Sequence, residues 1–262
     1  KYQLELDHVY IPSSGIATAA LLGGDVAIAL AGGVGFVRAF VQGATDIVFI
    51  GSTKNVLTHS LLAKPDVKRV EDLKGKKIGV TAKGSTTDFF AMWLAQTKNI
   101  KVDIVPIGNA ALYPSIVSKQ IDSGIVTPPL VFQGFDKKEV RSVYDFGKEM
   151  PPTLPSVIVA SDKVINGNPE LVTRYLRANF QSVRYLKQNS DYCASFLAKH
   201  TNQDQPLAAR ICSTVVAGLS DNGAIQKDWL DNSLNLSKLG GLADPPPADQ
   251  MLSDKFTPVK VD

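Results

Sequence analysis

The chain has 262 residues, of which 44% are hydrophobic and 20% are charged, and its net charge is +3. This balance supplies enough apolar material for a core and excludes a disordered chain, a collagen-like chain and a disulfide-dense miniprotein. At about 100–200 residues per domain, the length allows one large domain or two small ones. Lysines and arginines are scattered among acids instead of clustering, so nucleic-acid binding is not expected.

Three further features bear on where the protein works. No stretch approaches the roughly 20 apolar residues that a membrane span needs, and no signal peptide opens the sequence, so we expect an exported protein to be shown here in mature or trimmed form. His8, His59 and His200 lack ligand spacing, and neither a metal nor a cofactor is expected. Cys193 and Cys212 fall in one helical region, where they could form a disulfide in an oxidising compartment or stay as two buried thiols.

The first fifty residues predict an alternating series of strands and helices. Strands are expected at 2–10, 26–30 and 47–50, with helices at 16–22 and 36–42. The second and third strands are apolar on both faces, as in parallel sheets that helices cover on each side. This order is typical of a doubly wound α/β sheet.

The same rhythm then restarts and ends in helices. Strands are expected at 77–80, 102–106, 123–126 and 140–145, with helices at 89–97 and 110–118, and the chain is helical in several pieces from Asn168 onward. Two short apolar runs, at 60–63 and 157–160, separate the halves. We therefore predict a discontinuous first lobe (1–62 plus 160–262), a second lobe (63–159), crossings near 60–64 and 156–161, and a cleft at the carboxyl ends of both sheets.

Five local runs carry a family pattern in a consistent order. They are LLGGDVAIALAGG at 21–33, VEDLKGKKIGV at 70–80, GSTTDF at 84–89, TPPLVF at 127–132 and NPE at 168–170. Together they resemble the nitrate/sulfonate/taurine-type solute-binding proteins of ABC importers, a family that includes relatives of thiamine-pyrimidine precursor binding. The resemblance covers nearly the whole chain.

This resemblance implies a two-lobed periplasmic-binding-protein fold (type II-like) and a receptor without enzymatic activity. Such a receptor works in the periplasm or another extracytoplasmic space, closes over a small solute and delivers it to the transmembrane subunits of an ABC permease. We expect a monomer and an anionic solute such as a sulfonate, nitrate or a carboxylate. Family members usually open with a further strand and helix before the strand that corresponds here to 2–10, and the loop after that further strand normally touches ligand.

The turn before the helix at 89–97 is the best candidate for solute contact. A helix N-terminus exposes backbone N–H groups and the positive end of the helix dipole, so it binds anions well. Gly84 lets the backbone approach, and the following hydroxyls add donors. The other reading is a plain helix cap. The residues that we expect to contact solute are Ser13, Ser14, Gly32, Gly33, Ser52, Gly84, Ser85, Thr86, Thr87, Asn109, Thr127 and Pro128.

Most of the other expected contacts also have a purely structural reading. Ser13 and Ser14 could be helix caps, while Gly32–Gly33 and Ser52 could serve only in turns. Thr127 and Pro128 would form a rigid cleft wall, and Asn109 would enter the cleft from a loop.

Two other functions share the expected fold. One is a ligand sensor that docks to a membrane kinase, which would have the same cleft. The other is an enzyme of the thiamine-pyrimidine synthase type, which needs a cysteine cluster and a cofactor-bearing lysine beside a histidine. The sequence has two cysteines, apart from each other, and none of the common catalytic motifs, so a binding protein is expected.

Overall fold

A computed structural model describes residues 2–11, 13–54, 56–241 and 247–260. The described chain forms two sheets. The first has the order β1-β8-β2, and the second has the order β5-β4-β6-β3-β7. The strands are β1 (Ile28–Ala31), β2 (Ile47–Ser52), β3 (Ser60–Ala63), β4 (Lys77–Val80), β5 (Asp103–Pro106), β6 (Ser123–Val126), β7 (Arg141–Asp145) and β8 (Val157–Ser161).

The strand directions bring the carboxyl ends of several strands to one edge in each sheet. In the first sheet, β1 and β2 are both antiparallel to β8, with Ile28 opposite Ala160, and are therefore parallel to each other. In the second sheet, β4 is parallel to both β5 and β6, with Ile78 opposite Ile104. Loops that follow parallel strands meet at the same sheet edge, which is where α/β proteins bind ligands.

Helices cover both sheets. The helices of the first half of the chain are α1 (Ser14–Gly23), α2 (Gly33–Val41), α3 (Thr86–Thr97), α4 (Asn109–Val117), α5 (Leu130–Asp136) and α6 (Phe146–Glu149). Those that follow β8 are α7 (Asp162–Gly167), α8 (Pro169–Gln188), α9 (Ser190–Thr201), α10 (Gln205–Ile211) and α11 (Lys227–Ser237). The α-helical geometry changes after α10, which ends at Ile211, because a π-helical turn follows at Cys212–Val216.

Strand β8 shows why several strands of this chain have apolar side chains on both faces. Val157 and Val159 pack into a core with α1, α2 and α11, whereas Ile158 and Ala160 pack on the opposite face with α8. All four side chains are fully buried. Alternate residues of a strand point to opposite faces, so a sheet with helices on both sides needs continuous apolar runs.

The prediction of a strand at 2–10 is wrong. Residues 2–11 are irregular in the structure, and Leu6, Val9 and Tyr10 are exposed. A groove of about 650 Å³, lined by residues 4–11 and 25–31, separates this segment from β1. The segment therefore has no neighbouring strand with which to form a ladder.

The strand pairings place the connections between the sheets. Strand β3 pairs with β6 and β7 inside the second sheet, and β8 pairs inside the first. The chain therefore passes between sheets at residues 53–59 and 146–156, just before these strands rather than along them. We propose that the lobes divide at these two connections, which moves the expected boundaries at 62 and 160 to the preceding loops.

Candidate functional site

The two sheets face each other where α2 of the first lobe meets the turn that precedes α3 of the second. Gly32, directly after β1, lies so close to Thr86 that an added β-carbon would clash with the Thr86 hydroxyl and come within 3.1 Å of its Cβ. One turn along α2, a β-carbon added to Gly35 would lie 3.8 Å from the Gly84 carbonyl oxygen, and Ser14 of α1 packs beside Gly35. We call this contact the lobe junction and define it by Ser14, Gly32, Gly35, Arg38, Gly84 and Thr86.

Residues of the turn before α3 hold one another in place. The Ser85 hydroxyl accepts a hydrogen bond from the Asp88 N–H at 3.4 Å, and the Asp88 carboxylate accepts one from the Gly84 N–H at 2.7 Å. The hydroxyls of Thr81, Ser85 and Thr87 lie 2.9 Å from one another, and Thr87 also accepts the Thr81 N–H. The hydroxyls of Ser85 and Thr87 are thus engaged within the second lobe.

Thr86 differs from its neighbours. Its side chain is 6% exposed, and its hydroxyl has no hydrogen-bond partner in the part of the chain that the structure describes. The N–H groups of Thr86 and Thr87 belong to the first turn of α3, where a helix offers no acceptor. An unsatisfied buried hydroxyl destabilises a fold by about 1–3 kcal/mol, so this position calls for a polar partner.

Three of the other buried polar atoms without a hydrogen-bond partner among the described residues lie in the connections between the lobes. They are Thr58 Oγ1 and His59 Nδ1 in the first connection and Thr153 Oγ1 in the second. The Thr153 side chain lines a small cavity of about 150 Å³ that Trp93 of α3 and Asn232 of α11 also line. Unsatisfied polar atoms are rare in folded proteins. With Thr86, four of the six found among the described residues lie where the lobes join, and the other two, Ser123 Oγ and Arg174 Nε, lie in β6 and α8.

His59, in the first connection, has a perturbed pKa. Burial, together with a smaller effect of the nearby Lys54 ammonium, lowers the pKa of His59 to about 3. Its ring packs edge-on against Phe90 of α3 at 5.0 Å between centroids. Burial also lowers the pKa of Lys54. The imidazole is therefore neutral at physiological pH, and it is too weakly basic for proton transfer there.

The predicted site residues divide into those at the junction and those elsewhere. Four of them meet at the junction, namely Ser14, Gly32, Gly84 and Thr86. Gly33 lies beside them, and a β-carbon added to it would lie 2.5 Å from Leu154 Cβ in the second connection. Ser13 caps α1 by accepting the Ile16 N–H at 3.4 Å. Ser85 and Thr87 lie behind the junction, against Thr81.

The remaining predicted residues lie on other loops. The Ser52 hydroxyl faces the carbonyl oxygens of Lys54 (2.9 Å) and Ser156 (3.1 Å), so it links the two connections. Asn109 is exposed at the start of α4, after β5. Thr127 and Pro128 are partly buried and follow β6, so these loops share the sheet edge with Gly84.

Sequence reasoning missed Arg38, Thr81, Thr58, His59 and Thr153. Thr81 directly follows β4, a position that could have singled it out. The others lie on a helix or in connections with no motif, and only the packing of the lobes brings them near the cleft.

No group of three or more His, Cys, Asp or Glu side chains in the described ranges could hold a metal ion. Among the helices of residues 2–11, 13–54, 56–241 and 247–260, none is long and apolar enough to cross a membrane. Cys193 and Cys212 form a disulfide that joins α9 to the π-helical turn.

Comparisons with known proteins agree with this architecture. The family model described as NMT1/THI5 like matches residues 3–192. A candidate binding protein of Brucella abortus is 25% identical over 232 residues, which cover 82% of this chain and 71% of that protein.

Two solved structures share the fold. The periplasmic aliphatic sulphonate binding protein of Escherichia coli superposes with a TM-score of 0.78 at 15% identity, covering 94% of this chain and 86% of that one. The zinc-bound ligand binding component of an ABC-type import system from Staphylococcus aureus superposes with a TM-score of 0.81 at 12% identity, covering 99% and 90%. The expected two-lobed periplasmic-binding-protein fold is confirmed.

Proposed function

Because the chain belongs to the NMT1/THI5-like family, we propose that it is the extracytoplasmic solute-binding receptor of an ABC importer. It binds one small anionic solute between its lobes as a monomer and delivers the solute to the transmembrane permease. The observation that carries this proposal is the Thr86 hydroxyl, which is buried without a partner among the described residues at the point where the two lobes meet.

The chemistry of the α3 N-terminus supports an anion. Thr86 and Thr87 direct N–H groups out of the first turn, at the positive end of a 12-residue helix. The mutual hydrogen bonds of Thr81, Ser85 and Thr87 fix the turn before any solute arrives. Preorganised donors bind more tightly because little conformational entropy is lost on binding. Ser85 and Thr87 thus shape the turn, and Thr86 contacts the solute.

The disulfide supports an extracytoplasmic location. Disulfides such as Cys193–Cys212 persist in oxidising compartments and are rare in the reducing cytosol. The Escherichia coli sulphonate-binding protein with the same fold is periplasmic. We therefore propose that this receptor works in the periplasm or an equivalent extracytoplasmic space.

A thermal-shift screen tests the proposal. Alkanesulfonates, nitrate and small carboxylates are added to the purified protein beside uncharged analogues of similar size. A solute at 100 times its Kd stabilises the folded state by about 2.7 kcal/mol, which raises the unfolding temperature by several degrees. We expect at least one oxyanion to stabilise and its uncharged analogue not to. Stabilisation by uncharged solutes alone contradicts the anion class, and no stabilisation by any small solute contradicts the receptor.

A further inference from the structure

Arg38 is a cation without a charged partner at the lobe junction. It lies in the last turn of α2, half-buried, and its guanidinium packs on the turn before α3, where a β-carbon on Gly84 would come within 2.8 Å of Arg38 Cζ. Gly84 has a φ of +75°, so a glycine suits this position in two ways. The Phe89 ring centroid lies 5.9 Å from Arg38 Cζ.

No carboxylate of the described residues lies within 4.0 Å of an Arg38 nitrogen. A guanidinium has five N–H donors in a planar fork, and a half-buried cation without a partner is electrostatically unfavourable. The Asp88 carboxylate is close by, but it accepts the Gly84 N–H and forms no ion pair with Arg38.

The neighbouring helix makes this arrangement less favourable still. The N-terminus of α3 carries a partial positive charge, so two positive features, one from each lobe, face the same turn. An anion between them would offset both. The unpartnered Thr86 hydroxyl, 6% exposed and directed at the first lobe, is a separate indication that a polar group binds there.

We propose that Arg38 is the countercharge of the bound solute. Its guanidinium reaches from the first lobe to the anionic group that the α3 N-terminus holds from the second. A planar fork suits an oxyanion with two accessible oxygens, such as a sulfonate or a carboxylate. Because the two positive groups belong to different lobes, the anion bridges them and favours lobe closure. This inference rests on the proposed function. It assigns to Arg38, in the first lobe, the preference for anionic over uncharged solutes.

Calorimetry on four variants tests the proposal. The probe is whichever of methanesulfonate, ethanesulfonate, nitrate and acetate binds the wild-type protein best. Arg38→Gln removes the charge, Arg38→Met also keeps an apolar stem over Phe89, and Arg38→Lys keeps the charge without the fork. Arg69→Gln is the matched control, because the Arg69 side chain is 73% exposed and lies outside the junction. Ethyl methyl sulfone serves as an uncharged probe of similar shape.

We expect Arg38→Gln and Arg38→Met to weaken oxyanion binding by about 10- to 100-fold, the loss of a hydrogen-bonded charge. Arg38→Lys should lose less, and Arg69→Gln should bind as the wild type does. Any binding of the sulfone should be unchanged in the Arg38 variants. Unchanged oxyanion affinity in folded Arg38→Met overturns the role of Arg38 and leaves the receptor intact. If the wild-type protein binds none of these oxyanions, both the anionic class of solute and this inference are overturned.

Discussion

The backbone of Gly32 lies directly against the side chain of Thr86, across the boundary between the two lobes. Gly32 follows the first strand of one sheet, and Thr86 begins the helix after the first parallel strand of the other. The loops at the carboxyl edges of the two sheets therefore touch at these residues, and we interpret this contact as a closed arrangement of the lobes. A binding protein of this design must separate these residues for solute to enter and leave.

Gly32→Ala should prevent full closure without damaging either lobe. The φ of Gly32 is −60°, which alanine adopts freely, so the only obstacle is the clash with Thr86. We expect a larger radius of gyration by small-angle X-ray scattering and solute binding at least about 10-fold weaker, since binding needs the closed state. The free energy of unfolding should change little.

Gly15→Ala is the control for this variant. Gly15 lies in the first turn of α1, and a β-carbon there meets nothing within 4 Å. It should leave the radius of gyration and the affinity unchanged. Equal scattering profiles for Gly32→Ala and the wild type would show that the junction adapts and is not a barrier to closure.

Thr86→Val and Thr87→Val should have opposite effects. Thr86→Val removes a buried hydroxyl that has no partner among the described residues. The free energy of unfolding should therefore stay the same or rise by up to about 1 kcal/mol, while the affinity for solute falls. Thr87→Val removes the acceptor of the Thr81 N–H and a contact with the Ser85 hydroxyl, and should lower the free energy of unfolding by about 1–3 kcal/mol.

Chemical denaturation and calorimetry on both variants separate the two roles. A loss of stability in Thr86→Val with unchanged affinity would mean that Thr86 serves the fold only. The double replacement of both threonines is less informative, because it mixes a fold defect with a binding defect.

The disulfide should stabilise the helical region without affecting the solute site. Cys193 and Cys212 are 19 residues apart and lie in a small buried cluster with Ala194 and Val216. In the chain-entropy model, a disulfide that closes a loop of this size stabilises the folded protein by about 3 kcal/mol. The Cys193→Ala/Cys212→Ala variant should therefore unfold at lower denaturant concentration and bind solute normally. Denatured, unreduced wild-type protein should contain no free thiol, and a count of two would refute the pairing.

The sequence predicted most of the architecture because the buried strands are apolar on both faces. Runs such as residues 47–50 and 157–160 cannot form half-exposed strands, so helices on both sides were required. The five family-like runs fixed the order of the elements, and the family is confirmed. The strand at 2–10 failed because alternation predicts a strand but not whether a partner strand lies beside it.

The candidate site was predictable only in part. Gly84 and Thr86 follow a strand and open a helix, a local pattern that sequence displays. Which of three adjacent hydroxyls is free depends on Thr81, and the proximity of Arg38 to Gly84 depends on how the lobes meet. The sequence does not decide whether the disulfide forms, because helical periodicity does not show how two separate segments pack together. Its formation follows from the packing of α9 against the π-helical turn.

His59 should make the protein less stable in mild acid. Its pKa is about 3 in the folded protein, below the ordinary value of 6.5 that it regains on unfolding. Between these values the unfolded chain binds a proton that the folded protein does not, so stability falls as the pH drops through this range. The loss attributable to His59 at about pH 5 is about 2 kcal/mol relative to neutral pH.

Urea unfolding of His59→Gln and His8→Gln between about pH 7 and pH 5 measures this contribution. Glutamine does not titrate, so the stability of His59→Gln should depend less on pH than that of the wild type by about 2 kcal/mol over the interval. His8 is exposed in the segment at 2–11, and His8→Gln is the control for replacing a histidine outside the connection. Identical slopes for all three proteins would mean that His59 gains a proton readily in the folded state. The connection would then be open to solvent there, and the neutral imidazole assigned to the lobe boundary would be wrong.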